Sequence, residues 1–263
     1  MLKDFTKETF DIIILSGQSN AVGNGKGPVL EPYLPDERVW MMTDPMDKQE
    51  FVITIAAEES HCNFVVGNLI FNFARKYINA GLLPEGRKLL ILQTAAGGTG
   101  FIAGHWKLTD IYYLRMMDMI RTALALNPEN RLVGLLWHQG ENDSLFEASY
   151  DVHYNHLMTL LRSVREEFNV PELPFVAGDF VHDWRDKNIE VCTPVLEAIR
   201  GVCRDCGNGA FVESDGLTSN VQQLCCPTPV LAVDFLDDIH FSRTALYQLG
   251  ERYFNAFCQI TGQ

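Results

Sequence analysis

Residues 12–20 read Ile12-Ile13-Ile14-Leu15-Ser16-Gly17-Gln18-Ser19-Asn20. Three isoleucines and a leucine in an unbroken run predict a strand buried on both faces. The run stops in glycine and small polar residues, which form a tight turn at the strand's C-terminal end. In an open α/β sheet, that edge is where ligands bind. A serine held on such a turn lies close to backbone N–H groups, which makes Ser19 the candidate nucleophile. Similar turns are common in α/β proteins, where the serine only caps a helix. The reading therefore rests on what else the chain supplies.

Outward from this stretch, strands alternate with helices. Arg38–Met42, Lys88–Gln93, Leu132–Trp137 and Pro174–Asp179 read as further buried strands, with a short one at Ala210–Glu213. Apolar residues at helical spacing predict helices over His61–Tyr77, Asp110–Leu126 and Phe146–Phe168, and over Asn188–Arg204 with an interruption at Pro194. Residues 43–60 read as loop. A last helix starts at Ser242 as N-cap, with Phe241 and Leu246 as a hydrophobic staple. This alternation predicts a doubly wound α/β sheet of about five parallel strands, with helices on both faces and right-handed crossovers. No repeat or linker divides residues 1–263, so one domain is expected.

Composition narrows the function. A net charge of −13 repels phosphate backbones and anionic lipid, so nucleic-acid and membrane-surface partners are not expected. No apolar run approaches a membrane span. The first ten residues carry charges of both signs and no apolar signal region. A cytoplasmic protein is expected, or a secreted one if a signal was removed. The seven cysteines fit reduced thiols. Cys203 and Cys206, followed by Cys225 and Cys226, hint at zinc, but the vicinal pair lacks the gap of a second zinc knuckle. His153 and His156 lie three apart on a helix, where a surface position is the expected reading. Gly23–Pro28 fits neither a Walker loop nor GxGxxG and reads as a loop at the rim of the site.

Four strand ends or late loops carry polar, glycine-bearing clusters: GQSN, AAGGTG, WHQGEND and DDIHFS. A parallel sheet brings its strand ends to one edge, so the clusters converge. Ester hydrolysis by serine needs a nucleophile, a base, an orienter and an oxyanion hole. His240 is the candidate base. Asp237, three residues earlier, has the spacing to reach its Nδ1; Asp238 and Asp234 are alternatives. Oxyanion donors are the N–H groups of Ser19 and of Gly97 or Gly98, with a side-chain amide from Gln139 or Asn142. Gln18, Trp106 and Glu141 are candidate substrate contacts. Trp106 equally fits a place at the core edge, and Glu141 a role in locking its loop. His138 reads as a structural hydrogen-bonder.

GQSN after the first strand, GG after a later one, WHQGEND, and a late DxxH followed by an aromatic together resemble the SGNH hydrolase superfamily. Within it they are similar to the carbohydrate O-acetylesterase branch of sialate O-acetylesterases and acetylxylan esterases. The resemblance runs from Ile12 to Phe241. It implies a three-layer, flavodoxin-like α/β/α fold, deacetylation of sugar esters without metal or cofactor, and a triad of Ser19, His240 and Asp237. The superfamily's glycine maps to Gly97-Gly98. Its asparagine aligns with Asn142, while in this branch Gln139 fits the role. Ala21 stands where the branch often has Met, implying altered packing beneath the serine. Residues 217–233 look like an insertion. The alternatives are a lipase or thioesterase of the same superfamily and a non-catalytic carbohydrate-binding protein.

Overall fold

The computed structural model describes residues 4–45, 50–58, 67–223 and 237–263. Its centre is β1 (Thr9–Gly17), in which Ile12 through Leu15 are completely buried. Burying each such side chain contributes about 1.5–3 kcal/mol relative to exposure. β1 pairs in parallel with β4 (Arg87–Gln93) on one side and β5 (Arg131–His138) on the other. The sheet continues outward through β2 (Val39–Thr43) and β3 (Val52–Ile55) beyond β4, and through β6 (Phe175–Gly178) and β7 (Gly209–Val212) beyond β5.

Among the described residues the sheet is thus wider than expected, with seven strands in the order β3-β2-β4-β1-β5-β6-β7. It is also not wholly parallel, because β3 runs antiparallel to β2. Val52–Ile55 has one neighbour and stays partly exposed. It therefore lacks the continuous apolar run that betrays a buried strand.

The long helices form the two outer layers. α2 (Leu69–Asn79) packs on α8 (Arg243–Thr261). Phe73 meets Phe254 and Phe257 edge-on, with ring centroids 5.9 and 5.6 Å apart. Gly250 lets the two helices touch, since a Cβ there would lie 2.0 Å from the Leu69 carbonyl oxygen. The other group is α3 (Ile111–Ala125), α5 (Tyr150–Glu167) and α7 (Ile189–Asp205). α5 packs on α7, and Tyr113 of α3 shares a 2.6 Å hydroxyl bond with Ser163 of α5.

Helix limits differ from the sequence reading in three places. α5 begins at Tyr150, capped by Ser149, because the chain turns at Glu147 with φ +54°. α7 runs through Pro194 without a break; a proline in the second turn forfeits one backbone bond but does not end the helix. A short helix, α6 (His182–Lys187), precedes it. Residues 61–66, the first part of the expected His61–Tyr77 helix, lie outside the described residues. The N-cap at Ser242 stands as read: its Oγ accepts from the Ala245 N–H at 3.1 Å.

At the edge of the sheet opposite the strands' C-terminal ends, the fully buried Asp11 of β1 is neutralised by its neighbours. Arg87 of β4 and Arg131 of β5 approach it at 2.6 and 2.8 Å. At the C-terminal end the constraint is steric. Gly17 has φ +131°, and a Cβ there would lie 2.1 Å from the His138 carbonyl oxygen. Gly17→Ala is therefore expected to cost about 3 kcal/mol or more. A urea unfolding midpoint unchanged from wild type would contradict this.

Candidate active site

The order of strands reverses around β1: β2 and β4 lie on one side, β5 to β7 on the other. Loops leaving β1, β4 and β5 diverge there and leave a crevice, the usual ligand site of such sheets. The crevice is a cavity of about 510 Å³ walled by Ser19, Gly98, Asn142, Asp237 and His240, among others. Four stretches of the chain, the first near Ser19 and the last at His240, thus meet at one place.

Ser19 opens α1 (Ser19–Val22), a single turn directly after β1. The Gln18 N–H donates to the His138 carbonyl at 2.9 Å, so the turn hangs from the end of β5. The loop after β4 is carried alongside, with the Ala96 N–H donating to the Gly17 carbonyl at 3.0 Å. A Cβ on Gly97 would lie 4.0 Å from the Ser19 Cβ, so the glycine backbone faces the serine closely.

His240 and Asp237 form a pair. Asp237 Oδ1 accepts from the His240 backbone N–H at 2.8 Å and lies 2.8 Å from His240 Nδ1. This leaves Nε2 as the ring nitrogen available to a reacting group. Burial alone would raise the Asp237 carboxyl, but the hydrogen bond and charge of His240, with Lys26 further off, hold it below the usual carboxylate range. Asp238 is turned to Lys187 Nζ at 2.6 Å, which removes it as the alternative orienter. Asp234 lies outside the described residues.

The two amide candidates part company. Asn142, on α4 (Glu141–Leu145), lines the cavity and donates from Nδ2 to the Gly98 carbonyl at 3.0 Å. Gln139 is fully buried, and its Nε2 is committed to Asp143 Oδ2 at 2.9 Å. Gln139 thus does not line the cavity, and its side chain is bonded within the fold. Of the candidate substrate contacts, only Gln18 lies on the cavity wall, where its Oε1 accepts from the Asn142 N–H at 3.1 Å. Trp106 is fully buried, donates to Thr99 Oγ1 at 2.8 Å and packs edge-on against Trp137, so it cannot stack on a sugar. Glu141 is fully buried as well and locks its loop, accepting from Asn20 Nδ2 at 2.8 Å. Burial raises its carboxyl above the ordinary value.

The surface reading of His153 is also corrected. It is fully buried, with Nδ1 3.2 Å from Asp143 Oδ2, while His156 stacks on Phe101. Asp143 in turn accepts from the N–H groups of Phe101 and Ile102 at 3.1 and 2.8 Å, fastening the glycine loop to α4. Cys203 and Cys206 carry free thiols, and Cys225 and Cys226 lie outside the described residues.

The Gly23–Pro28 loop lies at the rim of the site as read, but several individual site residues were not singled out by sequence. Asn24 and Lys26, from the Gly23–Pro28 loop, line the cavity together with Leu145 and Ile239. Asn24 Nδ2 donates to the Ser19 carbonyl at 3.0 Å. Asn220, fully buried, ties that loop to the histidine segment: its side chain accepts from the Lys26 N–H at 2.8 Å, and its own N–H donates to the His240 carbonyl at 2.9 Å. The bonds of Asn220 join stretches far apart in the sequence, which leaves no local pattern to find.

A doubly wound sheet with serine, histidine and aspartate on one cleft at its switch point has the architecture of an SGNH-type hydrolase. Residues 9–259 match the family described as carbohydrate esterase, sialic acid-specific acetylesterase, and the chain belongs to that family. A probable 9-O-acetyl-N-acetylneuraminic acid deacetylase of Escherichia coli is 26% identical over 166 residues, covering 54% of this chain and 50% of that protein. The aligned stretch therefore spans half the length of that relative. A probable carbohydrate esterase of Arabidopsis thaliana is 25% identical over 230 residues, 78% of this chain and 82% of that one. In three dimensions the crystal structure of NanS superposes with a TM-score of 0.78 at 18% identity, covering 97% of this chain and 98% of the other.

The site's underside carries a titratable group. Burial drives the His138 imidazole from its ordinary value down to about 3. Its Nδ1 bonds the Tyr253 hydroxyl at 2.9 Å. The unfolded chain takes up this proton near pH 6.5, while the folded chain resists it to about 3. The contribution of His138 is therefore complete above about pH 6.5 and is lost as the pH falls. Urea unfolding between pH 7.5 and 5 is expected to show a steeper loss for wild type than for His138→Asn; equal slopes would contradict the assignment.

Proposed function

We propose that this protein is a serine esterase that removes O-acetyl groups from carbohydrates, with O-acetylated sialic acids foremost and acetylated xylan next. The observation that carries the reading is the shared cavity of Ser19 and the His240–Asp237 pair at the sheet's switch point. Family membership supports the acetyl sugar as substrate.

In the proposed reaction, Ser19 Oγ attacks the acetyl carbonyl and His240 Nε2 takes its proton. Asp237, already bonded to Nδ1, holds the tautomer and offsets the imidazolium charge. The oxyanion is received by the N–H of Ser19, an N–H of Gly97 or Gly98, and the second hydrogen of Asn142 Nδ2, whose first is held by the Gly98 carbonyl. His240 then gives its proton to the departing sugar hydroxyl, leaving acetyl-Ser19. Water, deprotonated by the same imidazole, releases acetate and restores the serine.

Ser19→Ala is expected to lower kcat/KM on a small acetate ester by about 10⁴-fold or more while the far-ultraviolet circular dichroism stays that of wild type. Wild type is expected to prefer acetate to palmitate esters and to release acetate from O-acetyl sialic acid. Full activity in Ser19→Ala would overturn the esterase mechanism, and a palmitate preference would favour a lipase-like or thioesterase-like hydrolase.

A further inference from the structure

His240 lies on a stretch with no regular secondary structure, one residue before an isolated bridge between Phe241 and Ser219. A general base on such a segment is only as well aimed as its anchors. Residues on both sides of it are held by one side chain, Asn20, the immediate neighbour of Ser19. Asn20 Nδ2 donates to the Ile239 carbonyl at 3.1 Å, and Asn20 Oδ1 accepts from the Phe241 N–H at 3.1 Å. The remaining Nδ2 hydrogen goes to Glu141 Oε1 at 2.8 Å. Asn20, Glu141 and Phe241 are all completely buried.

The geometry points to Asn20 as a positioning residue that sets the separation between nucleophile and base, with Glu141 as its anchor. The amide is used to capacity: both hydrogens are given and the oxygen is taken. Its orientation is fixed by chemistry, because two acceptors face its nitrogen and one donor faces its oxygen. Backbone atoms on either side of the imidazole are thereby tied to the turn that carries the serine hydroxyl. Neither Asn20 nor Glu141 lines the cavity, so substrate binding does not require them. Asp is isosteric with Asn but has no hydrogens to give, and it would set its oxygens against Glu141 and the Ile239 carbonyl.

The proposal rests on the esterase reading, and one set of variants separates the two. Steady-state kinetics on a small acetate ester would be measured for wild type, Ser19→Ala, Asn20→Ala, Asn20→Asp, Asp237→Asn, Glu141→Gln and the double variant Asn20→Ala/Asp237→Asn. Rates would be expressed per folded molecule. Both Asn20 variants are expected to lose about 10²-fold in kcat with KM within about 3-fold, as misplacement of a reacting group by about 1 Å does. Asn20→Ala and Asp237→Asn both act on the aim of His240. Their combined loss is therefore expected to fall well short of the product of the single losses. Glu141→Gln keeps an acceptor for Nδ2 and is expected to retain more activity than Asn20→Asp.

If Ser19→Ala is inactive while Asn20→Ala keeps wild-type kcat, the positioning role falls and the esterase reading stands. Losses that multiply in the double variant, or a rise in KM in place of a fall in kcat, also overturn it. Failure of both Asn20 variants to fold would make Asn20 a folding residue and end the proposal. If Ser19→Ala is fully active, the esterase reading itself fails.

Discussion

The contact between Gly17 and the backbone of His138 fixes where everything else goes. Two adjacent parallel strands end together there, closer than any side chain at position 17 would permit. The next N–H of the chain donates to that same carbonyl. One strand then delivers Ser19 and the other delivers α4 with Asn142. The glycine loop after β4 reaches the same place because its backbone continues the pairing with β1. A small steric constraint at the centre of the sheet thus gathers three of the four polar clusters. The fourth, carrying His240, is brought in by the side-chain amide of Asn20 and the backbone N–H of Asn220.

The site also shows how a strongly acidic protein arranges polar groups in its interior. Asp11 and Asp143 are buried with cationic or N–H partners, as a buried carboxylate requires. Glu141 accepts an amide hydrogen and has its carboxyl raised by burial. His138 is held towards the neutral form by burial alone. Asp237 differs in being partly exposed on the cavity and held below the usual carboxylate range by its histidine. The single carboxylate on the cavity wall among the described residues is therefore the one bonded to His240.

Much of the architecture was legible in the sequence because parallel strands buried on both faces write themselves as apolar runs. IIIL of β1, LLIL of β4 and LVGLLW of β5 were readable for that reason. The edge strand β3 was not, since it is short and stays partly exposed. The meeting of Ser19, Asp237 and His240 in one cleft was legible from a strand-end turn and a spacing of three. Which of Gln139 and Asn142 lines the cavity was not, because it depends on where β5 stops and α4 begins. Trp106 was left between a sugar contact and the core edge for a related reason: its partner Trp137 lies on another element, and no local pattern announces the contact. Asn20 was hidden most thoroughly. Its function is to hold backbone at Phe241, 221 residues away, and nothing in GQSN says what the asparagine will meet.

The central claim is that Ser19 is activated by an imidazole contributed from the far end of the chain. Reaction with a fluorophosphonate, followed by peptide mass spectrometry, tests it most directly. The account expects one covalent adduct, on Ser19, forming about 10²-fold or more slowly in His240→Ala. An adduct elsewhere, no adduct on Ser19, or an unchanged rate in His240→Ala would contradict it.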